Sequence, residues 1–160
     1  MTRDASGAAA SCRLRPATAD DAAAMARLVE EAYARYVPRI GRRPAPMDAD
    51  HAAEIAAGAV TVAQGADDAM LGVIVLHGQA DHLLIENVAV APCARGQGVG
   101  RALLHHAEAE ARRRGFAEMR LYTNAKMTEN IALYVRIGWA ETHRAGQDGF
   151  QRVFFRKAVA

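Results

Sequence analysis

The sequence is poor in cysteine, holds no long apolar run and shows almost no imbalance of charge. Two cysteines, Cys12 and Cys93, supply neither a disulfide framework nor a metal-ligand spacing, so a reducing cytoplasm is the expected setting. No stretch approaches the ~20 apolar residues of a membrane span. Residues 1–11, small and with one early Arg3, lack the apolar segment of a signal peptide and are expected to be a disordered lead. Lys and Arg number 20 against 18 Asp and Glu, a net charge of +2, and the basic residues are scattered, which argues against a nucleic-acid partner. The adjacent His105 and His106 would diverge by about 100° on a helix. The remaining histidines, His51, His77, His82 and His143, have no ligand spacing, so no metal is expected.

What is present suits one compact domain. The 160 residues are enough for a sizeable core and too few for two ordinary domains, so residues 12–160 are read as a single unit. Residues 13–16 are expected to form a first strand. Thr18 caps the next helix with Asp21 three residues on, and Met25, Leu28, Val29, Ala32 and Tyr36 recur at helical spacing until Pro38 stops the run. Residues 38–47 are too proline-rich for regular structure. A short helix over 48–57 should follow, then strands near 59–63, 70–77 and 83–91. A third helix ends at the Gly115 cap, where Arg112, Arg113 and Arg114 form a solvated end. A strand over 118–123, a fourth helix over 129–137 and a hairpin of 139–143 with 150–156 complete the chain. This order gives a mixed α+β fold with helices on the faces of one sheet.

One stretch stands apart. Residues 83–91 form an apolar strand broken only by Glu86 and Asn87, and Pro92 ends it because proline cannot donate to a sheet ladder. Gly96, Gly98 and Gly100 then alternate before a helix whose apolar stripe is Val99, Leu103, Ala107 and Ala111. Short Gly-x-Gly runs also make ordinary turns. Here, however, the glycines open the backbone to a ligand just where free amides and the helix dipole favour an anion such as a pyrophosphate. No Gly-Lys-Ser/Thr follows, which removes a Walker loop, and the Arg-x-x-Gly-x-Gly spacing is not the dinucleotide fingerprint.

Arg95-Gly96-Gln97-Gly98-Val99-Gly100, after a strand ending in Pro92, resembles the acyl-CoA-binding signature of the GNAT (Gcn5-related) N-acetyltransferase superfamily. A second motif, the run from Asn130 to Trp139 with Ala132, Tyr134 and Gly138, resembles the family's later helix. The resemblance implies a central, mostly antiparallel sheet of six to seven strands flanked by four helices. It implies that Val88, Ala89 and Val90 pair with the pantetheine arm of acetyl-CoA, and that the loop with Arg101 holds the pyrophosphate. It further implies that Asn130 hydrogen-bonds CoA, that Tyr134 protonates the departing sulfur, and that the Val88 amide stabilises the oxyanion. Asn130 and Tyr134 are four apart and share a helix face; read without the family, Tyr134 is an amphipathic core residue beside Ile131 and Val135.

Glu86, a carboxylate in an otherwise apolar strand, is either structurally paired or the base that deprotonates the amine, and burial would raise its pKa toward a useful range. In this resemblance the position of Cys93 is not a nucleophile, and transfer is expected to run directly from thioester to amine. Tyr33, Tyr36, Arg39 and Arg42 flank the proline-rich segment and are the expected acceptor contacts, the arginines pairing with an anionic group. Tyr122, Thr123 and Asn124 either line the acyl groove or simply finish a strand. The expected activity is transfer of an acetyl group from acetyl-CoA to a primary amine of a small molecule. A protein amine is the alternative acceptor, and an idle acyl-CoA-binding or sensing module the alternative class. A homodimer is allowed.

Overall fold

The computed structural model describes residues 12–160. The disordered lead expected for residues 1–11 lies outside them. Among the described residues seven strands form one sheet in the order β1-β2-β3-β4-β5-β7-β6. The strands are β1 (Arg13–Pro16), β2 (Val60–Gln64), β3 (Met70–Gly78), β4 (Leu83–Val90), β5 (Glu118–Asn124), β6 (Ala140–Gln147) and β7 (Phe150–Ala158). Every neighbouring pair is antiparallel except β4 and β5. The helices are α1 (Ala22–Tyr33), α2 (Tyr36–Ile40), α3 (His51–Ala56), α4 (Val99–Arg113) and α5 (Thr128–Arg136). The mixed α+β sheet with helical cover is therefore as expected, but with five α-helices instead of four.

The extra helix corrects the reading of the proline-rich segment. α1 stops at Tyr33, and α2 runs through Pro38 to Gly41, which takes a left-handed φ of 86°. Pro38 is only the third residue of α2, where the helix has no use for its missing N–H, so proline is tolerated there. A 3-10 turn over Ala45–Asp48 adds further order, and α3 starts at Asp50, whose side chain accepts from the Ala53 amide.

Two amphipathic helices build the core. α1 buries Met25, Leu28, Val29 and Ala32, and α4 buries Val99, Leu103, Ala107 and Ala111, each packing on β3 and β4. Residues 72–76 of β3 are buried without alternation, which requires cover on both faces of the sheet. Gly72 lets α4 sit close: a Cβ there would lie 3.0 Å from Val99 Cγ1 and 3.1 Å from Leu103 Cδ1.

The sheet opens in the middle. β4 and β5 pair only over Leu83–Ile85 and Met119–Leu121, although β4 continues to Val90 and β5 to Asn124. Opposite β3, Val75 pairs with Asn87 and Leu76 with Ile85, so Glu86 is an extra, unmatched residue. Such a bulge bends its strand and increases its twist. β5 stays paired with β7 out to Asn124 and Arg152, so past Leu121 it moves away from β4.

The start of the fold is fixed by an ion pair. Arg15 donates to both carboxylate oxygens of Asp21, at 2.7 and 2.9 Å, and Asp21 also accepts from the Thr18 amide. The Arg15 hydrogen bond, with help from Thr18, holds the Asp21 carboxyl down at about 2 against the opposing effect of burial. A depressed carboxyl pKa stabilises the fold above the unfolded value and loses that contribution as pH falls toward the folded value. We expect Asp21→Asn to lower unfolding stability at pH 7 by about 1–2 kcal/mol. In urea titrations the difference from the parent should shrink as pH falls from about 4 toward 2; a difference independent of pH would show that the charge is not what stabilises this turn.

Candidate active site

The gap between β4 and β5 is the seat of the site. In extended backbone the N–H and C=O of one residue leave by the same edge, and successive residues alternate edges. Ala91 donates to Leu71 and so faces β3; Ala89 shares that edge, while Val88 and Val90 face the other way, into the gap. An independent contact agrees, since the Val88 carbonyl lies 3.4 Å from the Tyr33 hydroxyl. No β5 residue pairs with these positions. Val88 and Val90 therefore present backbone N–H groups to the cleft, as the expected strand contacts require, whereas Ala89 keeps its backbone for β3.

On one side of the gap lies a cleft of about 860 Å³ lined by Val88, Ala89, Val90, the whole 94–102 loop and helix start, and Asn130, Leu133, Tyr134, Arg136 and Ile137. Gly96 and Gly98 sit at φ of 77° and 82°, the left-handed region that glycine enters without a side-chain clash. Among the described residues the amides of Gly96, Gly98, Val99, Gly100 and Arg101 donate to no backbone carbonyl, and the first bond of α4 runs from Ala102 to Gly98. Consecutive free donors at the start of a 15-residue helix form a cradle suited to a phosphate-type anion. Arg95 donates from Nη2 to the Ala32 carbonyl at 3.3 Å, which ties the loop to the end of α1. Gln97 donates to the Cys93 carbonyl and closes the loop on itself.

On the other side is a smaller pocket of about 110 Å³, lined by Glu54, Glu86, Asn87, Tyr122, Thr123, Asn124, Arg152 and the segment from Pro44 to Pro46. Four residues line both cavities: Tyr33, Val88, Asn130 and Tyr134. Tyr134 is 6% exposed and packs its ring on Trp139 and Phe155, at centroid distances of 6.0 and 5.7 Å. It is thus a core residue and a wall of the site at once. Its hydroxyl has no hydrogen-bond partner among the described residues, yet it is not sealed from solvent, so it opens toward the cavities. Burial, with a smaller contribution from Tyr36, pushes that hydroxyl well above its ordinary pKa, and it stays protonated. The same holds for Tyr33, where burial again dominates. Tyr33 donates at 2.7 Å to Oδ1 of the buried Asn87.

The remaining expected residues are placed less simply. The burial anticipated for Glu86 is not found: as the unmatched bulge residue it stands out from the ladder, its side chain 40% exposed and 3.6 Å from Nε2 of His77. Tyr36 is buried and lines the large cleft, not the small pocket, and its hydroxyl accepts from Arg35. Arg39 and Arg42 line neither cavity. Arg39 is held by Glu129 at 2.7 Å, clasping α2 to α5, and Arg42 lies over the Phe150 ring at 4.0 Å. Sequence reasoning passed over Asn87 and Arg152, both buried polar residues of the small pocket. For Asn87 the signal was polarity at a position that strand alternation turns inward; Arg152 gave none, since alternation in β7 turns Val153 and Phe155 inward instead.

Among the described residues no group of three His, Cys, Asp or Glu could hold a metal ion, and no helix is long and apolar enough to cross a membrane. Streptothricin acetyltransferase of Streptomyces lavendulae is 38% identical over 81 residues, which are 49% of this chain and 43% of that protein. The [ribosomal protein bS18]-alanine N-acetyltransferase of Escherichia coli K12 is 41% identical over 61 residues, 38% of this chain and 41% of that one. The chain thus spans less than half the length of these relatives. Its fold is that of the PaiA N-acetyltransferase of Thermoplasma acidophilum, solved with coenzyme A, with a TM-score of 0.76 at 17% identity over 92% of this chain and 99% of that one. Residues 24–139, well over half of the chain, match the acetyltransferase (GNAT) family, and the chain belongs to that family.

Proposed function

We propose that this chain transfers an acetyl group directly from acetyl-CoA to a primary amine of a small molecule. The observation that carries the reading is that two cavities of different character meet at Tyr33, Val88, Asn130 and Tyr134. A bound thioester and a bound amine can touch only there. The free amides from Gly96 to Arg101 suit the donor's pyrophosphate, and the gap-facing Val88 and Val90 suit the amides of its pantetheine arm.

In this reading each group has one task. Glu86 accepts a proton from the incoming ammonium, directly or through water, with His77 beside it toward solvent. The freed amine nitrogen bonds to the thioester carbon, and the Val88 N–H receives the charge that develops on the carbonyl oxygen. The carbon–sulfur bond then breaks. Tyr134 gives its proton to the leaving thiolate and regains one from the nitrogen as the amide forms. A tyrosine held neutral by burial suits this role, because an acid must arrive protonated. The small-molecule preference rests on the size of the acceptor pocket, about 110 Å³, with Pro44, Ala45, Pro46 and Phe150 in its lining. It accords with a relative named for acetylating streptothricin, while the bS18-alanine enzyme names a protein acceptor.

Coenzyme A should raise the melting temperature in a concentration-dependent way, because binding to the folded state alone adds about 2.7 kcal/mol of stability at a hundredfold excess over Kd. Gly100→Val should remove that shift. Gly100 is outside the left-handed region and a Cβ there meets only Val90 Cγ2 at 3.5 Å, so the fold should survive while the cleft fills. A folded variant that binds coenzyme A like the parent would refute the glycine-loop assignment.

Tyr134→Phe keeps the ring packed on Trp139 and Phe155 and should cut turnover ~10² to 10⁴-fold with coenzyme A affinity nearly unchanged. If Tyr134 serves the core alone, the variant loses stability and keeps its turnover per folded molecule. Glu86→Gln should depress activity most at the acidic end of the profile, the loss shrinking as pH rises and free amine becomes abundant. A constant ratio to the parent across pH would remove Glu86 from the proton path.

A further inference from the structure

The small pocket has one cation in its lining, and the proposed chemistry does not use it. The Arg152 side chain is only 8% exposed, and it lines this pocket and not the coenzyme cleft. Its Nη1 donates to Gln147 at 2.8 Å and lies 3.7 Å from Asp148, at the turn between β6 and β7. Its Nε and Nη2 make no hydrogen bond among the described residues, and neither is sealed from solvent. The face of the guanidinium rests on Tyr122 at 4.5 Å, with Phe150 at 5.4 Å. Arg42 backs Phe150 from a distance of 4.0 Å. Arg152 is thus a cation held over aromatic rings, with Nη1 anchored and its remaining donors open.

Solvent reaches these open donors, so an acceptor that takes both bonds at once can replace water there. The Nε and Nη2 edge is the fork that matches a carboxylate with two parallel hydrogen bonds. Phosphate dianions fit worse: Asp148 already offsets part of the charge, and Glu54 and Glu86 line the same small pocket. Those acids suit an ammonium. Glu86 on β4 is two residues from Val88 of the shared wall, whereas Arg152 on β7 lies two strands away, opposite Asn124 where β5 has already left β4, so the backbone spacing exceeds the roughly 10 Å of two paired strands. The pocket is therefore dipolar, with its acid beside the reacting centre and its cation at the far end.

We infer that Arg152 binds a carboxylate on the acceptor, so that the substrate is an amino acid or a similar amino-carboxylate whose ammonium reaches Glu86. This inference rests on the proposed acetyl transfer and adds the acceptor's class. It assigns the anion-binding role expected of Arg39 and Arg42 to a residue that reaches the pocket, and it leaves those two as clasps.

The test is steady-state thiol release from acetyl-CoA with the twenty common amino acids, β-alanine, 4-aminobutyrate and 6-aminohexanoate, each against its carboxamide. At least one acid should exceed its carboxamide by roughly tenfold or more in kcat/KM. Arg152→Gln should raise the KM of that acid roughly 10 to 100-fold, leaving the KM for acetyl-CoA and the carboxamide rate unchanged. Arg152→Lys keeps the charge without the fork and should recover only part of the preference; if the glutamine variant fails to fold, a lysine variant with the parent's acid-to-amide ratio overturns the inference. Equal use of acids and carboxamides by the parent, or equal slowing of both by Arg152→Gln, also overturns it. If no amine is turned over, the same acids should still raise the melting temperature of the parent's coenzyme A complex and not that of the Arg152→Gln complex; absence of such a rise in the parent defeats the inference. Failure to bind coenzyme A at all would instead defeat the proposed function.

Discussion

The separation of β4 from β5 after three residue pairs is the constraint on which the rest of the molecule depends. A continuous ladder would consume the N–H groups of Val88 and Val90 and leave no room between the two cavities. The bulge at Glu86 begins the divergence, and the unbroken pairing of β5 with β7 sustains it. An open sheet interior is unfavourable, because unpaired backbone polar groups lose hydrogen bonds worth about 1 kcal/mol each in net terms. Part of that cost is met locally: the Tyr33 hydroxyl spans Asn87 and Val88, and Tyr134 fills space from α5. The rest is left for a ligand, which is what a binding site built from backbone requires.

The elements around the gap are fixed independently of it. α1 and α4 bury apolar stripes on β3 and β4, each fully buried leucine, valine or methionine contributing roughly 1.5–3 kcal/mol. This rigid support lets β4 carry an unpaired edge without closing. The small pocket is bounded instead by polar and ionic contacts. Arg39 on Glu129, Arg42 on Phe150 and Arg43 on Glu30 and Asp48 hold the α2 segment over it. Exposed ion pairs of this kind are individually weak, which suits a wall that must admit an acceptor.

Legibility in the sequence followed the range of the interactions. Local features were readable: the glycine loop, because positive φ demands glycine; the stripe of α4, because it repeats within one helix; and the common face of Asn130 and Tyr134. The strands also fell close to their expected positions. What depended on distant partners was not readable. Arg39 looked free because Glu129 lies 90 residues on, and Glu86 looked buried because a bulge cannot be seen in one strand alone. Arg152 was invisible, since nothing in β7 distinguishes an arginine turned into a pocket from one turned to water. Pro38 misled for a different reason: proline stops a helix only past its first turn.

The Val88 and Val90 amides face an open gap, which in the proposed reaction the thioester donor fills. Amide hydrogen exchange resolved by residue tests it most directly. In the free protein Val88 and Val90 should exchange much faster than Ala89, which is bonded within the sheet, and saturating acetyl-CoA should protect them without changing Ala89. Slow exchange at Val88 and Val90 before any ligand is added, or no protection after, would contradict the account.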